Sequence, residues 1–232
     1  SIENFIPAMS VFGLPYVFRD ADHYWNVLNS EIGKRLLEKG EGKFLRGLCY
    51  YDSGSRNFYT KEKPIRTPDD LKGLKIRVMN SKTAMDMVKA MGGAPTPIAW
   101  GELYSALAQG TVDGAENNLP SFTSNKHYEV CKHFTRDGHT RIPDMLLIGT
   151  KIWSKLDPQV QAWVQQAAAE SSTFQRKLWE EETLASLARA KAEGVTVYDV
   201  DTAAFAAKVK PMHGAVENAE VRALLEKIGK VE

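Results

Sequence analysis

The chain has 232 residues, 43% of them hydrophobic and 25% charged, which is enough to bury one large core or two modest ones and excludes disordered, collagen-like and coiled-coil classes. Thirty basic against twenty-nine acidic side chains leave a formal net charge of +1, so no global field recruits nucleic acid or an anionic membrane surface, and any anion specificity is local. Charged residues interrupt every hydrophobic stretch before it reaches the length of a membrane-spanning helix.

Ser1 to Asn4 has neither the basic start nor the apolar centre of a signal peptide, so any leader is expected to be gone already. From Asp22 to Lys39 the residues Trp25, Leu28, Ile32, Leu36 and Leu37 recur at helical spacing, and Gly40 stands where a left-handed cap belongs. Lys43–Tyr51 and Arg56–Tyr59 read as extended segments around the turn signal Asp52-Ser53-Gly54. Thr67-Pro68-Asp69-Asp70 starts a short helix that Gly73 ends. Leu74–Met79 is a buried strand, and a helix capped by Asn80-Ser81 follows, with Met85, Val88 and Met91 on its apolar face and Gly92-Gly93 as its stop. Ala94–Ile98 is extended, Trp100–Gln109 helical and Val112–Asn117 strand-like. His139–Gly149 reads as one apolar extended stretch. No breaker interrupts Asp157 to Gly194, where one long helix is expected with Val160, Trp163, Val164, Ala167, Phe174, Leu178, Leu184 and Leu187 on its apolar face. Val195–Val200 is a strand, and the remainder is helical with Pro211 interrupting it. Alternating strands and helices indicate an α/β layer architecture.

Catalytic and metal patterns are mostly absent. The five histidines are far apart and none has paired zinc spacing, so each reads as structural. Ser53-Gly54-Ser55 is not a nucleophile elbow, and Gly92-Gly93 lacks the residues of a phosphate loop. Cys49 and Cys131 are too few for a disulfide framework and read as free buried thiols. Polar groups at predicted strand ends are more informative, because ligands of open α/β sheets sit outside those ends. Arg77 lies on an otherwise apolar strand, where an unpaired charge is very costly, so it needs a partner. Its planar fork suits a ligand carboxylate, and it equally suits a protein acid such as Glu116. Asn117 and Asn118 are placed to donate to the same carboxylate, or are simply part of a turn. Trp100 opens a helix as an apolar wall over a ligand, or as plain core.

Thr67 to Val78, then Gly93-Ala94-Pro95-Thr96-Pro97, Glu102 to Leu107, and Gly110 to Asn117 together resemble the signature run of the DctP-type solute receptors of TRAP transporters. Weaker similarity, including Leu14-Pro15-Tyr16 and the helix after Trp153, extends over nearly the whole chain. The resemblance implies a two-lobed, type II-like periplasmic binding protein of α/β class, a Venus flytrap with a long helix in its C-terminal half spanning the lobes. It places 1–52 in the remainder of lobe one, 53–138 in lobe two and 139–232 in a return to lobe one. Arg77 then corresponds to the family arginine that pairs with the ligand carboxylate, and Asn117 to the asparagine that hydrogen-bonds it. Arg56 corresponds to another basic position, and Trp100 to an aromatic position where some relatives carry Phe, with Glu116 and Asn118 beside the site. The run Trp100-Gly101-Glu102-Leu103-Tyr104 with Glu116-Asn117-Asn118 is similar to receptors for sugar acids, either uronates or aldonates.

The resemblance further implies a periplasmic monomer without cofactor or metal, delivering an organic acid to TRAP-type permease subunits, with no role in catalysis or nucleic-acid binding. Family members carry an N-terminal portion with the first strands of lobe one, and the resemblance implies that this sequence starts after it. Two other functions fit parts of the sequence. One is a lyase-like enzyme with Arg77 as substrate clamp and Glu116 as base, and the other is an effector-sensing domain of a regulator.

Overall fold

The computed structural model describes residues 2–232; Ser1, where the reading of a removed leader starts, lies outside them. Short 3-10 turns at Ile2–Asn4 and Pro7–Gly13 lead to α1 (Ala21–Asn29) and α2 (Glu31–Glu38). Strands β1 (Leu45–Tyr51), β2 (Arg56–Thr60) and β3 (Lys75–Val78) are followed by α3 (Lys82–Ala90) and β4 (Ala94–Pro97). Then come α4 (Leu103–Ala108), β5 (Gly114–Asn117), α5 (Leu119–Ser124), β6 (His133–Thr140) and β7 (Asp144–Gly149). The chain ends with α6 (Thr150–Trp153), α7 (Pro158–Ala192), β8 (Thr196–Asp199), α8 (Thr202–Gly214) and α9 (Ala219–Ile228).

The single helix expected over 22–39 is two. Ser30 is extended (ψ 175°) and its hydroxyl accepts from the Ile32 amide, so it caps a new helix. The turn brings Gly33 onto α1, where a Cβ would lie 1.9 Å from the Leu28 carbonyl oxygen. Trp25, Leu28 and Leu36 still face one core, which is why the apolar period runs across the break. Gly40 is not left-handed (φ −80°); Phe44 is (φ 63°). By contrast, Thr67 and Asp70 form a capping box around Pro68, Ser81 caps α3, and Gly73, Gly92 and Gly110 take positive φ at the stops.

Asp52–Gly54 does not close a hairpin, because its two strands enter different sheets. β1 pairs antiparallel with β7 alone, while the larger sheet has the order β4-β3-β5-β2-β6-β8. In it β3 runs parallel to β4 and β5, and β2 lies antiparallel to β5 and β6. The stretch expected over 139–149 therefore divides at Arg141–Pro143, where the chain leaves the large sheet for the small one.

One core gathers Phe12, Tyr24, Leu28, Leu36 and Tyr50 with Val221 and Ile228 of α9. A second covers both faces of the large sheet: Leu103, Leu107 and Phe122 lie on one side, Met87, Val88 and Phe205 on the other. α7 joins them, with Ala168 packed against Leu48 and Cys49 beside the small sheet and Ala190 in the core of the large one. At 1.5 Å per residue its 35 residues span about 52 Å. Its expected apolar face holds only in part: Val164 and Leu187 pack against the cores beside buried Ala168, Ser186 and Ala190, whereas Trp163, Phe174, Leu178 and Leu184 are exposed. Small residues let the helix lie close to both cores.

The return to lobe one after residue 139 is also incomplete. β8 pairs with β6 and α8 packs Phe205 and Val209 beneath the large sheet, so 196–214 belongs with the second lobe. Pro211 sits inside α8 rather than ending it, and the break falls at 215–218. Cys49 and Cys131 are free and buried. Burial pushes the Cys131 thiol up to about 12 and raises Cys49 as well. No helix among the described residues is long and apolar enough to cross a membrane.

Candidate functional site

The carboxyl ends of β3, β4 and β5 lie along one edge of the large sheet, together with the start of β2 and the end of β6. That edge gathers Arg77, Asn117, Arg56, Glu116 and His139, with Trp100 just beyond β4.

Strand pleating sorts these side chains between the two faces. Arg77 is in register with Ala115, so it shares a face with Ala115 and Asn117, and Glu116 points the other way. The alternative partner that spacing left open for Arg77 is thereby used elsewhere. Glu116 accepts from Arg56 Nε at 2.5 Å and Nη2 at 3.0 Å. It also faces His139 Nε2 at 3.3 Å, while His139 Nδ1 meets Asp137 Oδ2 at 2.7 Å and Asp137 Oδ1 accepts the Phe58 amide. Glu116, His139 and Asp137 are all essentially inaccessible. Burial alone would raise Glu116, but the Arg56 charge and the hydrogen bonds from His139 and Arg56 outweigh it and hold the carboxyl at about 2. Burial disfavours charge on His139, yet Asp137 and Glu116 raise it to about 9.

On the opposite face Arg77 is 2% exposed. Its Nε donates to the Ile98 carbonyl at 2.9 Å, and its buried Nη1 has no partner among the described residues. Burial lowers its proton affinity, only partly offset by the more distant Glu116. Its guanidinium carbon lies 5.6 Å from the centre of the Trp100 ring, which is 40% exposed. Asn117 Oδ1 accepts the Asn118 amide, which leaves its NH₂ group for other work. Asn118 Oδ1 caps α5 through the Ser121 amide, so that oxygen has a structural job.

Spacing missed Asp137 and His139. The readable signal was the alternation Thr135, Asp137, His139 along β6, three buried polar residues at period two. A cavity of about 340 Å³ adjoins this edge: Asn118, Asp137 and His139 line it together with Tyr16, Arg141 and Trp179, and it includes neither Arg77 nor Trp100. A narrow crevice between the cores reaches Arg56 and Glu116. Among the described residues no cluster of His, Cys, Asp and Glu is arranged to hold a metal ion.

The sequence matches the bacterial extracellular solute-binding protein family 7, DctP, over residues 1–219. A solute-binding protein of Chromohalobacter salexigens is 38% identical over 209 residues, covering 90% of this chain and 62% of the relative, so the chain spans just under two thirds of that protein's length. A crystal structure of a TRAP periplasmic solute-binding protein from the same organism, with bound D-glucuronate, superposes with a TM-score of 0.96 at 35% identity, covering 100% of this chain and 78% of the other. One from Xanthobacter autotrophicus with bound β-D-galacturonate gives 0.95 at 36% identity, with the same coverage. Those structures share the two-lobed α/β binding fold described above. The motif run from Thr67 to Asn117, the fold and these matches agree: the chain belongs to the DctP family of bacterial extracellular solute-binding proteins.

Proposed function

We propose that this chain forms the carboxylate-gripping part of a periplasmic receptor that captures a sugar acid, foremost a uronate, and delivers it to a TRAP-type permease without transforming it. One observation carries the reading: a buried guanidinium at the ligand edge of the sheet, anchored by Nε and unpaired at Nη1. An unpaired buried charge is expensive, and a carboxylate meeting Nη1 and Nη2 end-on removes that cost. Asn117 adds a donor on the same face, and Trp100 shields the pair from water. Arg56 and Glu116 neutralise one another behind the strand and hold the edge in shape. Relatives with bound glucuronate and galacturonate support a hydroxylated six-carbon acid as the ligand.

Glu116 is poorly suited to be the base of a lyase. Its oxygens are occupied by Arg56 and His139, and its carboxyl is held at about 2, far below a useful proton acceptor at neutral pH. Calorimetry of the full-length protein with D-glucuronate and D-galacturonate tests the receptor reading. Arg77→Ala is expected to weaken binding by about a hundredfold or more, with an unchanged circular dichroism spectrum. Unaltered affinity would remove Arg77 as the anchor, and turnover of the acid would remove the receptor role.

A further inference from the structure

Trp100 is the exposed end of a line of contacts that runs into the core. Its ring meets His127 edge to face, with centroids 5.4 Å apart at 64°, and Arg77 lies 5.6 Å from its centre. His127 is 1% exposed against 40% for Trp100, so the histidine is the fixed member. Its Nδ1 is 2.8 Å from the Tyr59 hydroxyl, and Tyr59 is itself fully buried with Phe122 and Phe134 against its ring. Burial raises the Tyr59 phenol well above its ordinary range, so it keeps its proton and donates to Nδ1. His127 is then the neutral tautomer with its hydrogen on Nε2. Burial and the Arg77 charge hold His127 at about 4, so no second cation develops beside Arg77 at neutral pH.

The backbone supports this placement. Lys126 is left-handed (φ 55°), a conformation that costs a residue with a Cβ about 1–2 kcal/mol. It opens the 3-10 turn His127–Glu129, from which His127 reaches Tyr59 and Trp100.

We infer that His127 is a positioning residue: braced by Tyr59, it fixes the indole of Trp100 over Arg77 and so sets the affinity of the site for sugar-acid carboxylates. The inference rests on Arg77 as the carboxylate anchor. A histidine that merely filled the core would influence stability, with no coupling to Trp100.

His127→Asn separates these roles, because its amide oxygen replaces Nδ1 as the acceptor for Tyr59 while the ring edge against Trp100 is lost. By calorimetry with D-glucuronate on the full-length protein, His127→Asn is expected to bind about tenfold more weakly, and the double variant with Trp100→Ala no more weakly than Trp100→Ala alone. Wild-type affinity in His127→Asn, or losses that multiply in the double variant, would overturn the inference. A second readout needs no ligand. In protein labelled with 5-fluorotryptophan, the fluorine resonance of position 100, assigned by its loss in Trp100→Phe, is expected to move in His127→Asn; an unmoved resonance overturns the contact. Arg77→Ala in the same series reads the anchor separately, since retained binding there sinks the carboxylate reading whereas the fluorine shift bears on His127 alone.

Discussion

Arg56, Glu116, His139 and Asp137 carry alternating charges through the interior behind the sheet edge. Removing one member leaves its neighbours uncompensated, and that is costlier than the net worth of the whole set. Glu116→Gln is therefore expected to destabilise the fold by about 3–5 kcal/mol, read from urea unfolding; a loss within experimental error would show that Arg56 finds another partner. The network also fixes how stability depends on pH. His139 is held near 9 against an ordinary 6.5, so its contribution is complete below about 6.5 and drains away as pH rises through about 9. Glu116, held near 2 against 4.5, contributes fully above about 4.5 and loses that as pH falls through about 2. Melting temperature should peak between these limits, and His139→Asn should flatten the alkaline limb. An equally steep limb in that variant would assign it to another group. Arg77 was legible in the sequence because a charge in an apolar strand stands out. That Glu116 pairs with Arg56 and not with Arg77 was not, because the opposite facing of the two side chains follows from strand register, and register joins residues far apart in the chain.

Hydrophobic period reports which side of an element faces a core, and says little about where the element ends. Trp25, Leu28 and Leu36 kept one period across the Ser30 break because α1 and α2 serve the same core. The local signal of that break was Gly33, which takes the Leu28 carbonyl where a side chain would stand. Gly33→Ala is expected to cost about 3 kcal/mol in guanidinium unfolding, whereas Gly42→Ala, with nothing within 4 Å of its Cβ, is expected to be neutral; equal effects would remove the steric explanation. α7 misled in the opposite way. Four of its bulky apolar residues stay exposed, while Val164 and Leu187 share the contacts with alanine and serine. Caps and stops read well, as Thr67, Ser81 and Gly73 show, because their chemistry is confined to a few neighbouring residues.

The chain passes between the two cores four times: at Asp52–Ser55, at Arg141–Pro143, along α7, and between α8 and α9. A ligand that binds both parts better when they are closed shifts them toward closure only by that difference in affinity. Small-angle scattering of the full-length protein is expected to show a smaller radius of gyration with saturating D-glucuronate and no change in Arg77→Ala. An unchanged radius in the wild type would argue that the site is already closed. At this scale the motif run from Thr67 to Asn117 was the legible part, because it lies within one lobe. The placement of β8 and α8 was not, since it depends on pairing across more than sixty residues of sequence. The two thiols have a practical consequence. Cys49 and Cys131 are enclosed and hold their protons at neutral pH, so they react poorly with maleimides. A single cysteine introduced on the rim of Trp100 is then the one ready attachment point for an environment-sensitive dye, so a fluorescent test of the proposed sugar-acid binding can leave both native cysteines in place.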